Sequence, residues 1–568
     1  MYIAVIPNRG SPPAILLREG YRDGGQVKNR TLANLSKWPA QKIELLRRVL
    51  RDEPLARPDD LFEAVASPHH GHVQAVRTAM QRLGFDPLLA ARPSRERNLV
   101  VAMVAARILE PDSKLATTRW WHITTLPETL GVADADEDDL YTAMDWLLAR
   151  QERIEQKLAA RHLTAGGLVL YDLTSSYFEG TTCPLAAFGH DRDGKKGKLQ
   201  VNYGVLTDAR GCPVAVSVYE GNTGDPKTLL PQVARVRERF GIEQMVLVGD
   251  RGMLSQVQIT ALQALEGVDW ITALKTGAIR ALVQGGHLQL GLFDERNLFE
   301  LSHPDFPGER LVACRNPELA KLRAHKRQAL LDATAKELEK VRRMVARRTL
   351  QGRDAIGVRV GKVVDKYKMA KHIQLEIDDD RFEFHLDAAQ IATEAALDGL
   401  YVIRTSVPPE RLGAEDAVRH YKRLSQLERA FRSLKSIDLK VRPIYHRLED
   451  RVRAHIFLCL LAYYVEWHMR EAWRPLLFAD EDQAAKLTRD PVAPAQRSAG
   501  ALRKVHAKVL DDGTPVHSFQ TLLKALSAIV RNVCRRRGAR PDEPTVEIVT
   551  TPDPTQRRAY ELLETITV

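Results

Sequence analysis

The chain has 568 residues, 44% of them hydrophobic and 28% charged, with a formal net charge of +11. That is too long for one core, so about three or four folded domains are expected, and the ordinary composition excludes disordered, collagen-like and mini-protein classes. The basic surplus favours an acidic partner, nucleic acid first. The five cysteines, odd in number and without a CxxC pair, give neither a disulfide framework nor a zinc site by spacing.

The opening "MYIAVIPNRGSPP" meets arginine and proline before a signal-peptide length develops. "AILLREGYRDGGQVKNRTLANLSKW" (14–38) turns at Asp23-Gly24-Gly25 and predicts a β-hairpin. Helical periodicity runs from about 40 to 162, broken at Pro54, Pro58, Pro68 and Pro93. Strands are expected over 167–173, 198–207 and 212–220, then a helix from "DPKTLLPQVARVRERF", a strand at 244–249, a helix near 255–266 and a strand in "DWITALK". Three strands joined by short turns, followed by helix, strand, helix, strand, suit a mixed sheet with a meander and later parallel strands. A charged helix within 318–349 and the alternating "IGVRVGKVVDKYKMAKHIQLEIDDDRFEFHLD" give 276–395 a different, strand-rich texture. "DGLYVIRTS" (398–406) resumes a core strand, and long helices are expected over 414–436 and 447–473. The apolar run in "HIFLCLLAYYVEWHMR" is too short for a membrane span and is flanked by charge, so no membrane partner is expected. A last amphipathic helix near 518–535 precedes a polar tail.

Two of these strands deliver an acid. "GGLVLYDLTSSYFEG" places Asp172, and "MVLVGDRGM" places Asp250, near the C-terminal end of an apolar run. If the strands are parallel neighbours, the acids stand side by side and repel unless protonated or bridged by a cation. Oxygen-only ligands at an open sheet edge suit Mg²⁺. An Asp that caps the following helix is the competing reading of Asp250. On "YKRLSQLERAFRSLKSI" (421–437), a uniform turn of about 100° per residue puts Tyr421, Glu428, Arg432 and Lys435 on one stripe. Glu428 supplies a third carboxylate.

With these motifs the chain resembles the DDE transposases of bacterial insertion sequences, in the group whose glutamate helix carries a Tyr–Arg–Glu–Lys signature. Tyr421, Glu428 and Lys435 match by spacing, whereas the arginine position holds Leu424. "YDLTSSYF", "FGHDRDGKKGKLQVNYG", "YEGNTGD", "VGDRGM" and "DGLYVIRTS" resemble the family's core motifs in the same order over roughly 165–470. The resemblance implies a multi-domain α/β protein. Its RNase H-like mixed-sheet core (163–275 and 396–475) would be interrupted by a β-rich insertion (276–395). A hairpin and helical DNA-binding region (1–162) would precede the core, and a helical, basic DNA-binding or dimerisation region (476–568) would follow. It further implies Asp172, Asp250 and Glu428 as catalytic metal ligands around two Mg²⁺ ions, with Mn²⁺ as a substitute, and Tyr421, Arg432 and Lys435 on DNA. The implied partners are double-stranded transposon ends and target DNA, with a homodimer in the synaptic complex of a cytoplasmic, nucleoid-associated bacterial protein. The rival readings are an RNase H-like nuclease that cuts without joining, and a non-catalytic domesticated DNA-binding protein.

Other motifs carry less. "HHGH" (69–72) reads as a surface loop without a partner acid or cysteine at useful spacing. "DRDG" (191–194) lacks the glutamate that would close a calcium loop. "CRRRGAR" (534–540) reads as a phosphate grip or a flexible basic tail.

Overall fold

The structure, a computed structural model, describes residues 1–53, 61–289, 291 and 293–568, with only the backbone of 486 and 487. The helix breaks expected at Pro54 and Pro58 lie outside the described residues. The chain divides into two compact units, 1–68 with 530–551 and 69–529 with 552–568.

In the first unit β1 (Tyr2–Asn8), β2 (Ser11–Asp23) and β3 (Gln26–Asn34) form an antiparallel meander. Asp23 pairs with Gln26 around Gly24-Gly25. Both glycines have positive φ, the requirement of a tight two-residue hairpin turn. Strand β4 (Phe62–Ala66) belongs to a second sheet, completed late in the chain.

The second unit is built on an eight-stranded sheet. Its first five strands are β5 (Leu168–Tyr177), β6 (Gln200–Thr207), β7 (Pro213–Glu220), β8 (Met245–Val248) and β9 (Val268–Ala273). Strands β5, β6 and β7 are an antiparallel meander, while β8 runs parallel to β5 and β9 parallel to β8. The resulting order, β7-β6-β5-β8-β9, is that of an RNase H-like core. β5 outruns its expected end at residue 173. Ser176 Oγ bonds Tyr203 Oη at 3.0 Å, so the buried hydroxyl run still pairs along β6 to Tyr177. Gly204 on β6 has no room for a side chain, because a Cβ there would sit 2.1 Å from the Tyr171 hydroxyl.

The region 276–395 departs from its strand-rich reading. It contains β10 (Leu298–Leu301), β11 (Arg310–Arg315), β12 (Ile373–Ile377) and β13 (Phe382–Leu386), but two long helices, Pro317–Ala346 and Arg353–Tyr367, dominate it. β10 and β11 extend the main sheet through β14 (Leu400–Thr405), leaving only the β12–β13 hairpin apart. The alternation of 356–360 misleads because Val358 is 60% exposed. The residues that pack are Ile356, Val360 and Val364, four apart and on one helical face. The second unit's core also takes in the 71–162 helices and the long Glu449–Ala472 helix, which is buried on nearly every side from Ala454 to Met469.

At the C-terminus the expected 518–535 helix stops at Ser527. β15 (Arg531–Arg536) then pairs with β4 and with β16 (Val546–Val549), so most of "CRRR" is strand and not a flexible tail. "HHGH" is no surface loop either. His72 is buried at the start of the Gly71–Arg82 helix, and His69 Nδ1 lies 2.8 Å from the Ser527 carbonyl. No helix among the described residues is long and apolar enough to cross a membrane.

Candidate active site

Paired residues Leu168/Val246, Val169/Leu247 and Leu170/Val248 fix the β5–β8 register. Continued past the end of β8, that register sets Asp172 opposite Asp250. Asp172 is half-buried, and Asp250 is exposed in the turn after Gly249. Burial, reinforced by the negative charges of Asp250 and Asp225, pushes the Asp172 carboxyl up to about 7, against the opposing pull of the Leu173 N–H and Arg192. The Tyr421 hydroxyl donates to Asp250 Oδ1 at 3.4 Å. Burial and the Asp250 charge hold that phenol well above its ordinary range, so it keeps its proton.

The glutamate segment is not one regular helix. Helix Ala414–Lys422 ends at Arg423, helix Leu424–Arg432 follows, and Ser433–Ile437 is a π-turn. Glu428 is exposed on the middle piece, which packs on β5 through a face that includes Leu427, Ala430 and Phe431. It makes no hydrogen bond or ion pair among the described residues. Its carboxylate is not drawn into one tight cluster with Asp172 and Asp250: among the described residues, the only acid, histidine or cysteine trio within 4.8 Å is His162, Cys212 and His468.

The uniform helical wheel fails at Lys435. The π-turn rotates it inward, where it meets Asp193 at 2.9 Å, and Arg442 meets the same carboxylate at 2.6 Å. Lys435 is 8% exposed and spends its charge inside the fold, so it is not on the exposed stripe with Glu428. Arg432 is exposed and without an ion pair among the described residues. The sequence reading missed Asp225, Arg192 and Asp193. Arg192 pairs with Asp225 beside Asp172, and Asp193 also accepts from the Tyr177 N–H at 3.0 Å. The only signal for Asp225 was its position closing "YEGNTGD".

A cavity of about 670 Å³ opens beside Asp250 and Tyr421. Among the residues lining it, Arg251, Arg323 and Lys326 are exposed and have no ion pair among the described residues. Arg327 and Lys371 are neutralised by Asp398 and Glu394.

The raised Asp172 carboxyl has a measurable consequence. The unfolded chain ionises it near its ordinary 3.8 and the fold only near 7, so stability falls as pH rises between the two and stays lower above. Asp172→Asn should therefore unfold at higher urea than wild type at pH 8 in a chelator, by about 2 kcal/mol after allowance for partial exposure. The difference should vanish near pH 4.

A sheet in this order, with two acids in register where β5 and β8 separate, defines an RNase H-like domain built for polar chemistry at that edge. Residues 167–465, more than half of the chain, match the family described as Transposase DDE domain. Residues 3–59 match the IS1634 family transposase N-terminal domain. No curated protein matches the chain in sequence. Among solved structures, the cryo-EM piggyBac transposase synaptic complex with hairpin DNA aligns at a TM-score of 0.35 and 8% identity, over 80% of this chain and 77% of that one. The chain belongs to the DDE transposase family, and as an insertion-sequence transposase it carries out divalent-metal-dependent phosphoryl transfer on DNA.

Proposed function

We propose that Asp172, Asp250 and Glu428 hold two Mg²⁺ ions, replaceable by Mn²⁺, while the chain cuts its element's terminal repeats and joins the freed 3′-OH to target DNA. One observation carries this reading: Asp250, in register with Asp172, lines a cleft with uncompensated cations. The donor set fits a hard cation, since every candidate ligand is an oxygen. A carboxyl pushed up to about 7 by burial and neighbouring acids is also one that a divalent cation would discharge. When bound, such ions supply Lewis-acid charge at the attacking and leaving oxygens of an in-line displacement.

The protein's own part is positioning. Tyr421 fixes one oxygen of Asp250, and Arg251, Arg323, Lys326 and the exposed Arg432 receive backbone phosphates. Lys435 contributes by pinning Asp193, not by meeting DNA. In functional terms, residues 1–162 and 476–568 recognise the repeats, 163–275 with 396–475 catalyse, and 276–395 is an insertion whose Pro317–Ala346 helix lines the cleft. Two chains synapse two ends as a homodimer.

Arg323→Ala with Lys326→Ala should weaken binding to all duplexes alike and lower the slope of log K against log salt by about 2. A titration at several salt concentrations measures it, and an unchanged slope removes these residues from the DNA path. The reaction itself is tested with a pre-cleaved end and a plasmid target. Joined product supports a transposase. Cleavage of the intact end without joining favours the nuclease reading.

A further inference from the structure

We propose that His162, Cys212 and His468 bind one thiophilic divalent cation of the Zn²⁺ class, at a structural site separate from the carboxylate edge. The three come from different parts of the fold: the C-terminal end of the Gln151–His162 helix, the turn entering β7, and the Glu449–Ala472 helix. Their ligand atoms lie within 4.8 Å of one another, and Cys212 Sγ is 3.7 Å from His468 Nε2. In a tetrahedral zinc site with Zn–S of about 2.3 Å and Zn–N of about 2.0–2.1 Å, the sulfur and nitrogen stand about 3.5 Å apart. The Cys212–His468 pair is therefore close to that spacing, while the set as a whole, spread over up to 4.8 Å, must draw in further as a cation binds. A set of one sulfur and two imidazoles selects Zn²⁺ over Mg²⁺, which prefers oxygen.

The surroundings supply what such a site requires. His468 and Cys212 are buried and His162 is half-buried, so the site is largely shielded from water. Tyr464 Oη stands 3.0 Å from His162 Nε2, the kind of outer partner that orients a ligating imidazole. Buried Asp208 accepts from the Cys212 N–H at 2.9 Å and places a negative charge beside the cation. A cation would take Cys212 as the thiolate, so its binding releases the thiol proton. Two cations oppose it: Arg161, whose charge acts on both histidines, and Arg210, whose Nη2 lies 3.5 Å from His162 Nδ1 while its Nε is paired with Asp208 Oδ2 at 2.9 Å, so binding requires the 62% exposed Arg210 side chain to swing away from the His162 ring.

The place explains the purpose. The turn that carries Cys212 supports the glutamate segment, since Arg423 Nη1 donates to the Ala209 carbonyl at 3.4 Å and Gly211 abuts Gln426. A cation here staples two helices to the turn on which that segment rests.

The test uses the purified full chain. Dialysis after loading should leave about one equivalent of zinc per chain. Cobalt(II) titration should give tetrahedral d–d bands and a sulfur-to-cobalt charge-transfer band. Cys212→Ser should abolish the sulfur band and the retained zinc, and Tyr464→Phe should weaken cobalt binding by about tenfold. Unchanged far-ultraviolet dichroism of the metal-free variants shows that they fold. Wild type that retains no zinc and gives no sulfur band overturns the proposal, as does cobalt binding that Cys212→Ser leaves intact. Neither readout depends on DNA cleavage, so failure here leaves the carboxylate site untouched.

Discussion

Glu155→Ala should lower the unfolding free energy by about 3–5 kcal/mol, the cost of orphaning a buried charge and its partners. Glu155 is fully buried on the Gln151–His162 helix and paired with Arg235. It also accepts from the Val216 N–H at 3.0 Å and from Gln151 Nε2 at 2.9 Å. Val216 lies on β7, the edge strand of the main sheet, so the carboxylate satisfies a backbone donor that no neighbouring strand reaches. Removing it leaves that N–H and a guanidinium together in the interior. Urea unfolding at pH 7 measures the loss, and a change below about 1 kcal/mol would mean that the pair is not buried as described.

Asp250→Ala should slow Mg²⁺-dependent cleavage of an end duplex by at least about a thousandfold, consistent with the loss of metal-supplied charge stabilisation in the transition state. Asp250 is exposed and lies outside the core, so its loss costs the fold little. Duplex affinity without metal should hold or rise, because a negative charge leaves a cationic cleft. Tyr421→Phe, which removes only the hydroxyl on Asp250, should cost far less. Single-turnover cleavage alongside a gel shift separates the two effects. Retained cleavage in Asp250→Ala would remove this residue from the site.

The Asp172–Asp250 edge was legible because its logic is local. Two apolar runs each delivered an acid, and parallel pairing of β5 with β8 needed only the strand order to set Asp172 opposite Asp250. Lys435 was not legible from a uniform wheel, since the π-turn at Ser433–Ile437 depends on what the helix packs against, including the buried Asp193. The 353–367 helix was misread because Val358, apolar but exposed, filled in a two-residue alternation. Asp225 and Arg192 reach Asp172 only through the tertiary fold. The same holds for His162, Cys212 and His468, whose separation in sequence leaves no ligand spacing to find.

Glu428 is the residue on which the account turns, because it faces solvent on a helix packed on β5 and forms no tight trio with the two aspartates among the described residues. The direct test is Mg²⁺-dependent cleavage of a duplex bearing the element's own end by wild type, Asp172→Asn, Asp250→Asn and Glu428→Gln, with DNA binding measured in parallel. Loss of cleavage in all three variants with binding retained is the result expected of three carboxylates acting as one site. Cleavage by Glu428→Gln at the wild-type rate would contradict it.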